Sequence, residues 1–373
     1  MSRFMNFSCI HGLPGHIFIL CLLFLAAGPV HAVQVDGLYQ AEVPVAGQEA
    51  GQRNQAIMLA FSKMLTKVTG NRNIANRPEL TSHLSKASRY VQQYRYQLAE
   101  RQPESSDTQP AEPARLLQVE FDAQAVNRLL RQNRLPVWGE NRPGGLVWLG
   151  EESKSRGRRL TSAESGAWPV VEAAAQQRGI PLIRPLMDLE DQSRLKVADL
   201  WGDFERNIYS ASHRYSPDFI LTGRLIRVSG NLWRSSWRLF QGENVSAWNN
   251  DGTSRNRLLK DGVQYAADLL ANRFAPVGGG SELTRVKLRV GGIGSLQEYA
   301  GVGGFLSSQS SVARADLAVV EPGAVIYDLQ VRGGLGVLEQ GLALGGLIEP
   351  DSDAGLGEET ATENVDLYYR LRQ

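Results

Sequence analysis

Both cysteines of this chain, Cys9 and Cys21, lie in its first 32 residues, and that placement decides how everything after them has to fold. Arg3 precedes "IFILCLLFLAA" (17–27), an apolar run of signal-peptide length. It is too short for a comfortable bilayer span, which takes ~20 residues. "GPVHA" then places Val30 and Ala32 at the small-residue positions of a cleavage site. Residues 1–32 are therefore expected to be a signal peptide cut after Ala32, with the mature chain periplasmic. Membrane contact is expected only through this segment, where it stays uncleaved. A mature chain starting at Val33 contains no cysteine, so no disulfide, thiolate ligand or thiol nucleophile is available. Ordinary hydrophobic cores must carry the fold.

Pattern divides the remainder into three α+β domains. The first, 33–143, opens on "VQVDGLYQAEVPV", where Val33, Val35, Tyr39, Ala41, Val43 and Val45 share one face of a strand. In "GQRNQAIMLAFSKMLTKVTG", Ile57, Ala60, Phe61, Met64, Leu65 and Val68 recur at helical spacing, and Gly70 stands at the C-cap position. "RYVQQYRYQ" and "LLQVEFD" read as strands around a Pro-, Ser- and Glu-rich loop, and "AQAVNRLLRQN" as a closing helix.

The second domain, 144–276, alternates first: strand "GGLVWLG", helix, strand "IPLIRPL", then a helix with Val197, Leu200, Trp201, Phe204, Ile208 and Ala211 on one face. "FILTGRLIRV", "LWRSSWRLF" and "VSAW" follow as a meander around "SGN" and "QGEN" turns, with an amphipathic helix last. That order predicts a mixed sheet flanked by helices, with an antiparallel meander. Residues 277–282 have linker composition. The third domain, 283–373, has the order β-α-β-β-α-β, the ferredoxin-like pattern.

Tests for chemistry eliminate more than they assign. "GGIGSLQ", "GVGGFLS" and "GGLGVLEQG" lack the third glycine of a dinucleotide fingerprint. Ser193 to Lys196 matches S-x-x-K without the partner motifs that penicillin-binding enzymes need. Of five histidines only His83 and His213 follow the signal segment, too few for a histidine zinc site. No catalytic, cofactor or metal residue is assigned, and no cofactor is expected. The 40 basic and 39 acidic residues give no field for nucleic acid.

Two features remain. Asp188, Glu190 and Asp191 sit in "MDLED" after a strand, and the basic run "KSRGRR" (154–159) reads as a surface loop. In "LWRSSWRLF", Trp233 and Trp237 share one face, and Arg234 and Arg238 the other. That strand is either a core face backed by wetted arginines or a recognition surface, because Trp and Arg are enriched at interfaces.

The segments "AIMLAFSKMLTKVTGN", "GLVWLG", "PLMDLED", "LWGDFERNIYSASHRYSPDFILTGRL" and "VRGGLGVLEQGLAL" give the chain its family resemblance. It resembles a Gram-negative exported family known only as a domain of unknown function, number 2066. The second domain is also similar to periplasmic accessory domains such as the N-terminal domain of TolB. The first resemblance implies no activity; the second implies binding to other envelope proteins. The expectation is a non-enzymatic accessory or scaffold protein whose partners are envelope proteins. The rival is an enzyme or binder acting on a cell-wall fragment or small ligand, with Asp188, Glu190, His213 and Asp218 as its groups.

Overall fold

The computed structural model describes residues 35–98, 115–275, 283–352 and 364–372. The expected signal peptide and the 277–282 linker lie outside them. The first sheet is built from β1 (Gln40–Val45), α1 (Ala50–Thr69), α2 (Pro78–Leu84), β2 (Val91–Leu98), β3 (Arg115–Phe121) and α3 (Ala123–Gln132). Its order is β1-β3-β2, antiparallel throughout. The apolar stripe of α1, from Ile57 to Val68, is buried on the sheet. Gly70 ends the helix at φ 66°, where a Cβ would fall 2.7 Å from the Trp138 ring. The long alternating strand expected from Val33 starts only at Gln40, because Gly37 turns the chain at φ 65°.

The central sheet uses β4 (Gly145–Ser153), β5 (Gly157–Leu160), α4 (Ala167–Gln176), β6 (Leu182–Ile183), α5 (Leu189–Arg194), α6 (Val197–Gly202), α7 (Glu205–Ser212), β7 (Phe219–Ser229), β8 (Leu232–Gln241), β9 (Asn244–Gly252) and α8 (Arg255–Phe274). Its order is β5-β4-β7-β8-β9, with β6 also beside β4. β4 runs parallel to β6 and β7, and β7-β8-β9 is the antiparallel meander. Strand alternation sends Val147, Leu149, Leu221 and Trp237 toward α4 and α8, and Leu146, Trp148, Ile220 and Phe240 toward α5–α7. Two helix layers therefore cover the sheet.

Two local readings are corrected here. The single helix expected through Phe204 is two, because Asp203 takes a left-handed conformation at φ 55°. The Asp203 carboxylate there meets Arg224 (3.2 Å) and Arg238 (3.0 Å), and Phe204 stays 54 % exposed. The basic run expected as a loop forms the β4–β5 hairpin, where Arg158 pairs with Glu152 at 3.0 Å and Arg159 with Glu151 at 3.7 Å.

The last sheet comprises β10 (Thr284–Gly291), α9 (Leu296–Ser308), β11 (Val312–Glu321), β12 (Ala324–Val331), α10 (Leu335–Gly345), β13 (Ile348–Pro350) and β14 (Leu367–Leu371), in the order β11-β12-β10-β14-β13. The β-α-β-β-α-β succession is complete at β13. β14 then inserts between β13 and β10, parallel to β10, and widens the ferredoxin-like sheet to five strands. Each sheet has its own hydrophobic core, and together they belong to one compact unit, Ala32–Gln373. No helix among the described residues is long and apolar enough to cross a membrane.

Candidate functional site

A groove of about 970 Å³ separates the first sheet from the central one. One wall is the turn at Asp36–Gly37, the start of β1, Gln118 of β3, and Ser62, Lys63, Thr66 and Lys67 of α1. The other is the C-terminal half of α4 with the following Gly179–Leu182 segment, and Lys260 of α8. The volume lies at the upper end of the range for ligand pockets.

Two buried arginines fix the walls against each other. Arg142 is 1 % exposed and places every N–H of its guanidinium on a backbone carbonyl. Nε reaches Gly139 O (2.9 Å), one terminal nitrogen Arg178 O (2.6 Å) and Gly179 O (3.1 Å), and the other Lys67 O (2.7 Å) and Trp138 O (2.9 Å). It also stacks over the Trp138 ring at 4.3 Å. Arg178, equally buried, bonds Gly70 O (2.5 Å), Gln264 and Asp268 (2.7 Å). Both arginines thus take carbonyls at the C-terminal end of α1, where a helix leaves its acceptors open and favours cations. Burial first, and the Arg178 charge to a lesser degree, pull the Arg142 guanidinium down to about 9.

The edge strand β1 faces the groove with almost no free backbone. Phe121 N donates to Tyr39 O at 3.0 Å, which sets the phase of the ladder. In the β1–β3 register, Ala41, Val43 and Val45 therefore turn their backbone to β3, and Gln40, Glu42 and Pro44 turn away. Two of these outward carbonyls, and that of Gly37, are taken: Lys67 Nζ donates to Gln40 O (2.9 Å) and Gly37 O (3.1 Å), and Lys63 Nζ to Glu42 O (3.1 Å). Pro44 has no N–H to offer, and Gln40 N donates to Gly37 O. A proline within the edge strand, and lysines of α1 reaching over its carbonyls, hinder strand addition. Gly179 closes over the Lys67 stem; at its φ of 63° a Cβ would sit 2.9 Å from Lys67 Cγ. Burial first, and the Arg142 charge second, lower the Lys67 ammonium to about 8.

The residues singled out from sequence lie elsewhere. Asp188 caps α5, accepting from Asp191 N at 2.9 Å, and Arg214 holds its carboxyl below the usual range. Asp191 is fully buried and accepts from Met187 N (2.8 Å) and Tyr215 Oη (2.6 Å). Burial together with that bond pushes the Tyr215 phenol up to about 12. Glu190 pairs with Arg194 at 3.0 Å and Arg214 at 3.4 Å. Asp218 accepts from Gly144 N at 2.7 Å, and burial raises its carboxyl. His213 is exposed on the turn following α7. Arg214 gathers Asp188, Glu190 and Asp191, while Asp218 bonds Gly144 N instead.

On β8, Trp237 is buried against Gly223 and Gly262, and Trp233 is partly buried against the same core. Arg234 pairs with Asp251 of β9 (2.8 Å), and Arg238 with Asp203 (3.0 Å). The groove residues had no comparable signal. Lys63 and Lys67 stand one helical turn apart on α1, and that spacing was the available clue. Among the described residues, no group of three acidic, histidine or cysteine side chains could hold a metal ion.

Residues 32–139 match the family model of a domain of unknown function, DUF8605. The match covers the first sheet and its helices and does not confirm membership of number 2066. No curated protein matches the chain. Among solved structures, the C-terminal domain of LpoB from Salmonella enterica is similar at 12 % identity, over 35 % of this chain and 93 % of that one. The TM-score is 0.23, at which neither fold nor function transfers.

Proposed function

We propose that this chain is an exported, non-enzymatic accessory or scaffold protein that binds other proteins of the Gram-negative envelope, and that it binds them in the groove between the first and central sheets. The observation that carries this reading is a groove of about 970 Å³ whose walls are locked by Arg142 and Arg178. A preorganised wall avoids an ordering cost at binding. Its lining mixes Gln40, Gln118, Gln176 and Gln177 with both signs of charge, which suits a polypeptide. The leader-like segment read in residues 1–32 supports a periplasmic location. The rival enzymatic reading has less to draw on, because Asp188 is engaged in a cap, Glu190 in ion pairs and Asp218 in a turn bond, and His213 lies exposed on a turn.

Photo-crosslinking in cells tests this. A crosslinking residue at Gln176 or Lys260, inside the groove, should trap the same envelope protein. One at Val320, exposed on β11, should not. Equal trapping at all three positions, or none at the groove positions, would overturn the reading.

A further inference from the structure

We infer that the groove selects an acidic polypeptide segment, one of whose carboxylates seats on Lys63 and Lys67. This rests on the binding role proposed above and names the chemistry of the partner. Charge in the groove is layered. Asp36, Glu42 and Glu172 line it but are exposed, and Glu172 faces Arg184 at 3.8 Å. Lys67 is half-buried at the floor, and behind it Arg142 is held by carbonyls alone. The inner charge is therefore positive, while the wet rim carries both signs, with Lys63 and Lys260 exposed beside the carboxylates.

The lysines also keep donors in hand. An ammonium has three N–H groups. Lys67 spends two of them on Gly37 O and Gln40 O, and Lys63 spends one on Glu42 O. Lys260, on the opposite wall, spends none among the described residues. No carboxylate among the described residues pairs with any of the three. A carboxylate entering the groove finds unused donors on Lys63 and Lys67, with the buried Arg142 charge behind them. Charge-assisted bonds of this kind are the stronger ones, and the field of Arg142 is screened little at that depth. The lysines and Pro44 leave β1 little outward backbone with which to pair the segment, so recognition falls to these side chains.

The groups facing Lys67 are Arg142, Lys63 on its own helix, Asp36 and Glu42 from the β1 side, and Glu172 and Lys260 across the groove. Above about pH 8 Lys67 gives up its proton, and one of the two ammonium groups is lost.

The test is fluorescence anisotropy with the purified chain and two labelled extended peptides, one with spaced glutamates and one with glutamine in their place. At about pH 7 the glutamate peptide should bind at least about tenfold tighter. That preference should shrink as pH passes about 8. Lys67→Gln tests the floor directly. That change also frees Gly37 O and Gln40 O, so the exposed pair Lys63→Gln with Lys260→Gln, which keeps both of those bonds and frees only Glu42 O, provides the second variant. It should lose most of the preference with an unchanged melting temperature. Equal binding of the two peptides overturns the inference. So does full preference in the Lys63→Gln, Lys260→Gln variant, or competition by free glutamate as strong as by the peptide. Groove crosslinks without glutamate preference would sink this inference and leave the binding role standing. Loss of the crosslinks would remove both.

Discussion

Replacing Arg142 by methionine is the sharpest perturbation of this fold. The guanidinium makes five bonds to carbonyls, and hydrogen bonds to a charged group contribute about 1.5–3 kcal/mol each, about 7–15 kcal/mol gross. Against that stands the cost of burying the charge. Burial lowers the guanidinium to about 9, and that cost offsets several kcal/mol of the bonds. Methionine fills much of the space but strands carbonyls at the end of α1, so a net loss of about 3–5 kcal/mol is expected. The loss should also uncouple the sheets. All seven tryptophans fall between Trp138 and Trp248. Tryptophan fluorescence therefore follows the central sheet, while far-ultraviolet circular dichroism follows every sheet. In urea, Arg142→Met should move the dichroism midpoint below the fluorescence midpoint, with the first sheet melting early. Arg142→Lys, with three donors in place of five, should recover only about half of the loss. Coincident transitions within about 1 kcal/mol of the parent would refute the role of Arg142 as a bolt.

Lys67 carries a pH signature. Its proton leaves the folded chain near pH 8 and the unfolded chain near 10.5, so between these values the unfolded state binds more protons and stability rises with pH. Relative to Lys67→Met, the parent should gain at most about 3 kcal/mol across that window in urea titrations; parallel curves would contradict the burial of the ammonium. Tyr215→Phe removes a bond to the buried Asp191 and leaves Leu186 N without its acceptor. A loss of about 1–2 kcal/mol is expected by thermal unfolding, with groove binding unchanged. Gly262→Ala would place a Cβ 2.0 Å from the Trp237 ring. It should cost about 2–3 kcal/mol, and Trp237→Leu in the same chain should recover part of it; a neutral Gly262→Ala would disprove the close packing of α8 on β8.

What the sequence made legible follows from where the information sits. α1 was readable because its buried stripe is written in apolar letters at helical spacing, with Gly70 as its stop. The meander was readable from strand alternation and short turns. The break between α6 and α7 was not, since Asp203 adopts a left-handed conformation to reach two arginines more than 20 residues away. The position of β14 was hidden for a related reason: periodicity marks a strand but does not name its neighbours. Arg142 and Arg178 were the least visible of all. Most of their partners are backbone carbonyls, which carry no letter, so no charge pattern could disclose them.

The sheet edges sharpen what kind of partner the groove can take. β1 is closed by Lys63, Lys67 and Pro44; β2 and β11 carry register shifts; β5 has four residues; β13 has three and ends in Pro350. These are the usual means of keeping an edge from recruiting strands. β9 is the contrast, nine residues paired to β8 without a register shift and lacking lysine and proline. A partner that recognised this protein by adding a strand would go to β9, on the meander end of the central sheet and away from the groove. A partner in the groove meets a blocked edge and must be read by side chains, and the charges placed to read it are lysines backed by a buried arginine.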